Sequence, residues 1–190
     1  QAQAHLKQSL THATFKTLTP SRTAFYGYSG LRDKLLKFFL DPLLKREAYE
    51  ALGLPLTPPG LILHGPSGIG KTALLHSLLS SPQISTHYTV LHVPCGASLL
   101  SRYLGGTEAN LRELFTQARA NRPCIIFIDQ IASFGRKRSL IEPDGDGTGG
   151  GKQRYLSTLL NELDGIGGSE GVTVVATCLE LEELDEALLR

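Results

Sequence analysis

Between Gly65 and Thr72 the chain reads Gly-Pro-Ser-Gly-Ile-Gly-Lys-Thr, which fits G-x-x-x-x-G-K-[ST] at every fixed position. Glycines at this spacing let successive backbone N–H groups turn toward one anion, and a helix starting directly behind them adds its positive end. The stretch Gly65, Pro66, Ser67, Gly68, Ile69, Gly70, Lys71, Thr72 and Ala73 would then wrap a polyphosphate. The Lys71 ammonium would reach the β- and γ-phosphates, and the Thr72 hydroxyl would ligate Mg²⁺. Such a loop needs a partner acid at the end of another strand, because the metal is shared between hydroxyl and carboxylate. Asp129, directly after Cys124-Ile125-Ile126-Phe127-Ile128, supplies one. The same letters also contain Gly68-x-Gly70-x-x-Ala73, a dinucleotide fingerprint, but the Lys-Thr pair and the lack of a clear acidic ribose ligand disfavour it.

The elements that must hold these residues are legible around them. Leu61-Ile62-Leu63-His64 is an apolar run ahead of the loop, and Leu74, Leu75, Leu78 and Leu79 mark a helix behind it. Tyr88 to Val93, Cys124 to Ile128 and Val172 to Ala176 read as further buried strands. Between them Leu111, Leu114, Phe115 and Ala118 recur at helical spacing with Thr107 as the expected N-cap, after a short helix ending at Arg102. Tyr155 or Leu156, with Leu159, Leu160 and Leu163, mark another helix, stopped at Gly165. Near the start, Leu31, Leu35 and Phe38 or Phe39 predict a helix that ends at Asp41-Pro42, with Asp41 capping the next one, which closes at Gly53. Ser139 to Gly151, rich in glycine, is expected to be a loop. Strands alternating with helices predict a parallel α/β sheet with the ligand at the strand C-termini.

Composition narrows the class. A chain of 190 residues, 41% hydrophobic and 19% charged, buries one sizeable core. The formal charge of +1 gives no electrostatic argument for nucleic acid or an acidic membrane. Cys95, Cys124 and Cys178 lack paired metal spacing and read as reduced core thiols, which points to an intracellular compartment, cytoplasm or nucleus. No apolar run approaches the roughly 18 residues of a membrane helix, so membrane insertion is not expected. Residues 1–25 read as a linker or arm and 26–190 as the nucleotide-binding unit. With no methionine anywhere, the chain reads as a piece of a longer protein or a processed form.

Several stretches together resemble the AAA family of ATPases, over about residues 26–190, and in particular its hexameric remodellers similar to valosin-containing protein and NSF. They are Gly60-Leu61-Ile62-Leu63-His64-Gly65-Pro66 at the entry to the phosphate loop, Ser101 to Phe115, Phe127-Ile128-Asp129-Gln130-Ile131-Ala132-Ser133, Leu159 to Gly165, and Leu184 to Arg190. The resemblance implies a P-loop NTPase fold of three α/β/α layers around a central parallel sheet, the large subdomain of one AAA module. It implies ATP and Mg²⁺ as cofactors, assembly into a homo- or hetero-hexamer, and a protein client threaded through the central pore. Tyr103, Leu104 and Gly105 would grip that client, and Gly27 and Tyr28 fall at the adenine-contacting turn, although Gly27-Tyr28-Ser29-Gly30 replaces the usual Asp-Ile-Gly-Gly.

The departures from the family pattern bear on catalysis. Where the family places a Glu that polarises the attacking water, this chain has Gln130, and an amide cannot accept the proton; a general base is worth about 10²–10⁴-fold in rate. Ala132 stands where many relatives carry Asp, and Cys178, or Leu179 in another alignment, stands at the sensor position. The sequence also stops at Arg190, before the family's arginine fingers and helical lid. The expectation is an ATP-binding ring module of a protein remodeller, with little or no turnover by this chain alone. Two alternatives stand beside it: an active unfoldase in which Gln130 is tolerated or engineered, and a nucleic-acid motor or loader, disfavoured by near-neutral charge and an aromatic pore loop.

Overall fold

The computed structural model of the chain describes residues 16–19, 25–53, 60–99, 106–135, 149–165 and 171–189. Strand β1 (Lys16–Thr17) precedes helix α1 (Ser29–Leu35), which runs on through a π-helical turn (Leu36–Leu40) into α2 (Asp41–Leu44) and α3 (Arg46–Ala51). Strand β2 (Gly60–His64) leads to α4 (Lys71–Leu79) and the short α5 (Pro82–Ser85). After β3 (Thr89–Val93) come a 3₁₀ turn (Gly96–Leu99), α6 (Gly106–Ala120), β4 (Cys124–Ile128), α7 (Ala132–Gly135), α8 (Gly149–Asp164) and β5 (Val172–Cys178), then two 3₁₀ turns, Leu181–Glu183 and Glu186–Leu188.

The sheet order is β1-β3-β4-β5-β2, with β3, β4, β5 and β2 parallel and β1 antiparallel on β3. The strand period of two divides the core cleanly. Cys124, Ile126 and Ile128 of β4 pack with Val172, Val174 and Ala176 of β5 and with Leu111, Leu114, Phe115 and Ala118 of α6, and Leu159 of α8 joins them. The alternate residues Ile125, Phe127 and Val175 face the other way, onto Leu74, Leu75, Leu78 and Leu79 of α4 and onto Leu35, Phe39 and Leu40. A strand buried on both faces reads as a continuous apolar run, which is why β4 is uninterrupted. The expected three-layer α/β/α sandwich is the observed fold.

Four local expectations need correction. Asp41 does not cap a new helix: its backbone is helical at φ −61° and ψ −45°, and its carboxylate pairs instead with Lys45 at 2.8 Å. Pro42 lacks an N–H and would crowd the carbonyl four residues back, so the preceding turn widens to a π turn, in which the Asp41 N–H reaches the Leu36 carbonyl. Thr107 lies inside α6 and is buried, because Gly106 already has helical backbone. Gly149, Gly150 and Gly151, read as the end of a loop, form the first turn of α8, since extending an existing helix adds a hydrogen bond per residue without a new nucleus. Within the stretch read as an arm, Lys16 and Thr17 pair with His92 and Leu91, and the Leu18 N–H donates to the Val90 carbonyl at 2.8 Å. Arg102, the pore-loop residues Tyr103, Leu104 and Gly105, most of the glycine-rich loop and Arg190 lie outside the described residues.

Candidate functional site

Three parallel strands, β4, β5 and β2 in that order, deliver the candidate residues to one end of the sheet. From β2 the chain enters the phosphate loop, where Gly65, Gly68 and Gly70 have φ of 144°, 80° and 91°. These angles lie in the left-handed region that side-chain-bearing residues rarely occupy, so the glycine spacing is what lets the loop form. Gly70 is constrained twice, because a Cβ there would also sit 3.3 Å from the Phe25 ring. The loop is tied to the sheet by the Gly65 N–H, which donates to the Leu179 carbonyl at 3.0 Å just past β5.

Lys71 opens α4 and arches back over the loop. Its ammonium donates to the carbonyls of Gly65 and Pro66 at 2.6 and 2.7 Å. One residue on, the Thr72 hydroxyl lies 3.0 Å from both carboxylate oxygens of Asp129. Asp129 follows β4 and is only 8% exposed; its N–H donates to Val93 and its carbonyl accepts from Gly96. The loop hydroxyl and the strand-end carboxylate therefore converge, as the sequence motif requires. This oxygen-only donor pair beside a phosphate-binding loop suits a small hard cation, and Mg²⁺ fits it. Among the described residues no group of three or more His, Cys, Asp or Glu side chains is arranged to hold a metal.

Gln130 is exposed and takes φ 54°, unusual for a residue with a side chain. Its backbone N–H donates to the Thr177 hydroxyl at 2.9 Å, and its side-chain Oε1 lies 3.8 Å from the Cys95 Sγ. Thr177, the penultimate residue of β5, also donates its hydroxyl proton to Asp129. Cys178 points the other way, into the apolar cluster under α6, and is 2% exposed. Burial raises its thiol pKa, the Lys71 ammonium opposing that rise. Cys124, deeper in the sheet, is pushed up to about 12 by burial. Both thiols are therefore neutral at ordinary pH, and a neutral thiol is a weak hydrogen-bond donor.

Gly27 and Tyr28, at φ 99° and 50°, turn the chain into α1 beside the loop. The Tyr28 ring, 53% exposed, stacks on Phe25 with centroids 6.4 Å apart, and Phe25 in turn abuts Gly70. Sequence reasoning missed Phe25 and Thr177. Phe25 sits in a segment without period, and Thr177 reaches Asp129 only through the β4–β5 register, which sets Ile128 opposite Ala176.

Residues 61–190 match the model of the family described as "ATPase family associated with various cellular activities (AAA)". The ATP-dependent zinc metalloprotease FtsH 2 of Symbiobacterium thermophilum is 35% identical over 185 residues, covering 95% of this chain and 30% of that protein. The peroxisomal ATPase PEX6 of Rattus norvegicus and that of Homo sapiens are each 36% identical over 190 residues, all of this chain and 18% of theirs. The chain thus spans less than a third of the length of these curated relatives. The family match covers the phosphate loop, Asp129 and the β4–β5 pair alike, and the chain belongs to the AAA family of ATPases.

Proposed function

We propose that this chain is the Mg-ATP-binding large subdomain of one AAA module in a hexameric, intracellular protein remodeller, with hydrolysis weakened at Gln130. The observation that carries the reading is the convergence of Thr72 and Asp129 at 3.0 Å at the mouth of a loop whose Lys71 is already poised over it. Bound Mg²⁺ would neutralise charge on the β- and γ-phosphates, with Thr72 and Asp129 holding it. With so few protein ligands, the remaining coordination would come from phosphate oxygens and water, the usual habit of this ion. The loop N–H groups and the start of α4 would bind the phosphates, which would draw the Lys71 ammonium from its two loop carbonyls. The shelf made by Gly27, Tyr28 and Phe25 would take the adenine.

Catalysis is where the site is short of groups. Gln130 stands where a carboxylate would take a proton from water, and it offers an amide. Cys178, at the sensor position, offers a neutral thiol turned into the core rather than a donor facing the phosphate. Ala132 offers nothing polar. The module would bind ATP and hold it, acting as a structural and allosteric member of its ring, with Tyr103, Leu104 and Gly105 contacting the protein client. The whole protein's client and ring partners belong to this proposal as well.

The test is steady-state ATP turnover by the full-length protein containing this chain, as it stands and as Gln130→Glu, with ATP affinity measured for both. Tight binding in both forms with near-zero turnover in the first supports the reading. A rise of about 10²-fold or more in Gln130→Glu would identify the missing base as the main brake. No ATP binding by either form would overturn it, and brisk turnover with Gln130 in place would favour an active unfoldase.

A further inference from the structure

We propose that Thr177 is a positioning residue of the nucleotide site, holding the Asp129 carboxylate and the Gln130 backbone with one hydroxyl. The inference rests on the Mg-ATP reading and deepens it. A threonine hydroxyl has one proton to give and lone pairs to accept with. Here both capacities are used on consecutive residues: the proton goes to Asp129 Oδ1, and the oxygen accepts the Gln130 N–H at 2.9 Å. The Thr177 carbonyl accepts a third bond, from the Ile131 N–H, at 2.9 Å. Thr177 is 1% exposed, so water cannot stand in for its hydroxyl.

The consequences differ for the two residues it holds. Asp129 Oδ1 is shared between Thr72 and Thr177, one on each side, which fixes the rotation of the carboxylate relative to the loop hydroxyl. Gln130 sits at φ 54°, a conformation that a single residue keeps only when its surroundings enforce it. The Thr177 hydroxyl holds the Gln130 N–H, beside the Ile131 N–H bond to the Thr177 carbonyl and the Ser133 N–H bond to the Gln130 carbonyl, and it thereby helps set where the Gln130 side chain starts. Removing the hydroxyl frees the carboxylate to turn and leaves a backbone donor unpaired, while the phosphate loop keeps its backbone ties to β5, which do not use that hydroxyl. The loss should therefore fall on the metal-dependent part of ATP binding.

The experiment measures ATP affinity of the full-length protein with Mg²⁺ and with EDTA, for the unaltered protein and for Thr177→Ser, Thr177→Val and Thr177→Ala. Thr177→Val and Thr177→Ala are expected to weaken Mg-ATP binding about tenfold or more while leaving metal-free ATP within about twofold, as loss of a hydrogen bond to a charged group predicts. Thr177→Ser, which keeps the hydroxyl, is expected to match the unaltered protein in both conditions. Equal losses with and without Mg²⁺, no loss at all, or a Thr177→Ser as weak as Thr177→Val would each overturn the proposal. If Thr177→Val fails to fold, Thr177→Ala, which adds no bulk, decides; failure of both to fold assigns Thr177 a purely structural part and overturns it too. An unaltered protein that binds ATP in neither condition refutes the nucleotide reading itself, and this proposal with it. Binding to the unaltered protein that Mg²⁺ strengthens, with the same strengthening in Thr177→Val, refutes this proposal alone.

Discussion

His92 on β3 shows how a side chain with acid–base capacity is kept out of acid–base work. Its ring stacks on Phe127 with centroids 4.6 Å apart, His76 approaches edge-on at 6.0 Å, and its Nε2 is buried without a hydrogen-bond partner. Burial first, then His76, lowers its pKa below the ordinary 6.5, against a smaller pull upward from Asp129. The sign follows directly: below 6.5 the unfolded chain takes a proton that the folded chain refuses, so stability is retained above that value and falls as the pH drops below it. His92→Phe keeps a flat ring on Phe127 and removes the proton uptake. Its melting temperature should fall less steeply than that of the unaltered protein from about pH 7 to about pH 5, where one differential proton is worth up to ~1.4 kcal/mol per pH unit. Parallel slopes for the two proteins would show that His92 is not the group responsible. Motif residues such as Lys71, Thr72 and Asp129 were legible from type and spacing, because the chemistry of a phosphate loop fixes both. His92 was not, because burial and a stacking partner are properties of the folded sheet.

Among the elements, the two long helices on one face are joined by an ion pair. Arg119 near the end of α6 and Glu162 near the end of α8 meet at 2.6 Å, with side chains 29% and 17% exposed. The Arg119 guanidinium also lies 6.0 Å from the Phe115 ring centre. Partial burial reduces the screening that makes most surface pairs weak, and a double-mutant cycle with Arg119→Ala and Glu162→Ala should give a coupling of about 1 kcal/mol. Urea denaturation of the four proteins measures it, and a coupling near zero would mean that the helices are held by their apolar faces alone. Helix existence was legible here from the Leu and Phe period, and so was the end of α8 before Gly165, whereas three other boundaries were not. The ends at Asp41, Thr107 and Gly149 were decided by a π turn, by a glycine accepting helical backbone and by helix extension, none of which leaves a periodic trace.

At the scale of the molecule, one sheet separates two apolar clusters, with Phe115 in one and Phe127 in the other. Alternation along β4 is what splits them, and the run of five buried residues made that strand the plainest in the sequence. The two-residue β1 was invisible, because so short a segment has no period and its place comes from the exposed edge of β3. Because the clusters lie on opposite faces, Phe115→Leu and Phe127→Leu should each cost about 1 kcal/mol and add in the double variant to within about 0.5 kcal/mol. A larger departure in chemical denaturation would mean that the sheet transmits strain between its faces.

The strand that carries the phosphate loop has a further consequence, for the chain while it is being made. Among the described residues β2 pairs only with β5, Gly60 opposite Val174 and His64 opposite Cys178. On the ribosome β2 emerges ahead of β5 and has no neighbouring strand until β5 follows, since strands so far apart in sequence pair only after a long loop closes. Thr177, which touches the residues after β4, arrives in the same late segment. A nascent chain therefore carries the whole phosphate-loop motif long before it has a place to anchor it, and ATP capture should begin abruptly once β5 is free of the exit tunnel.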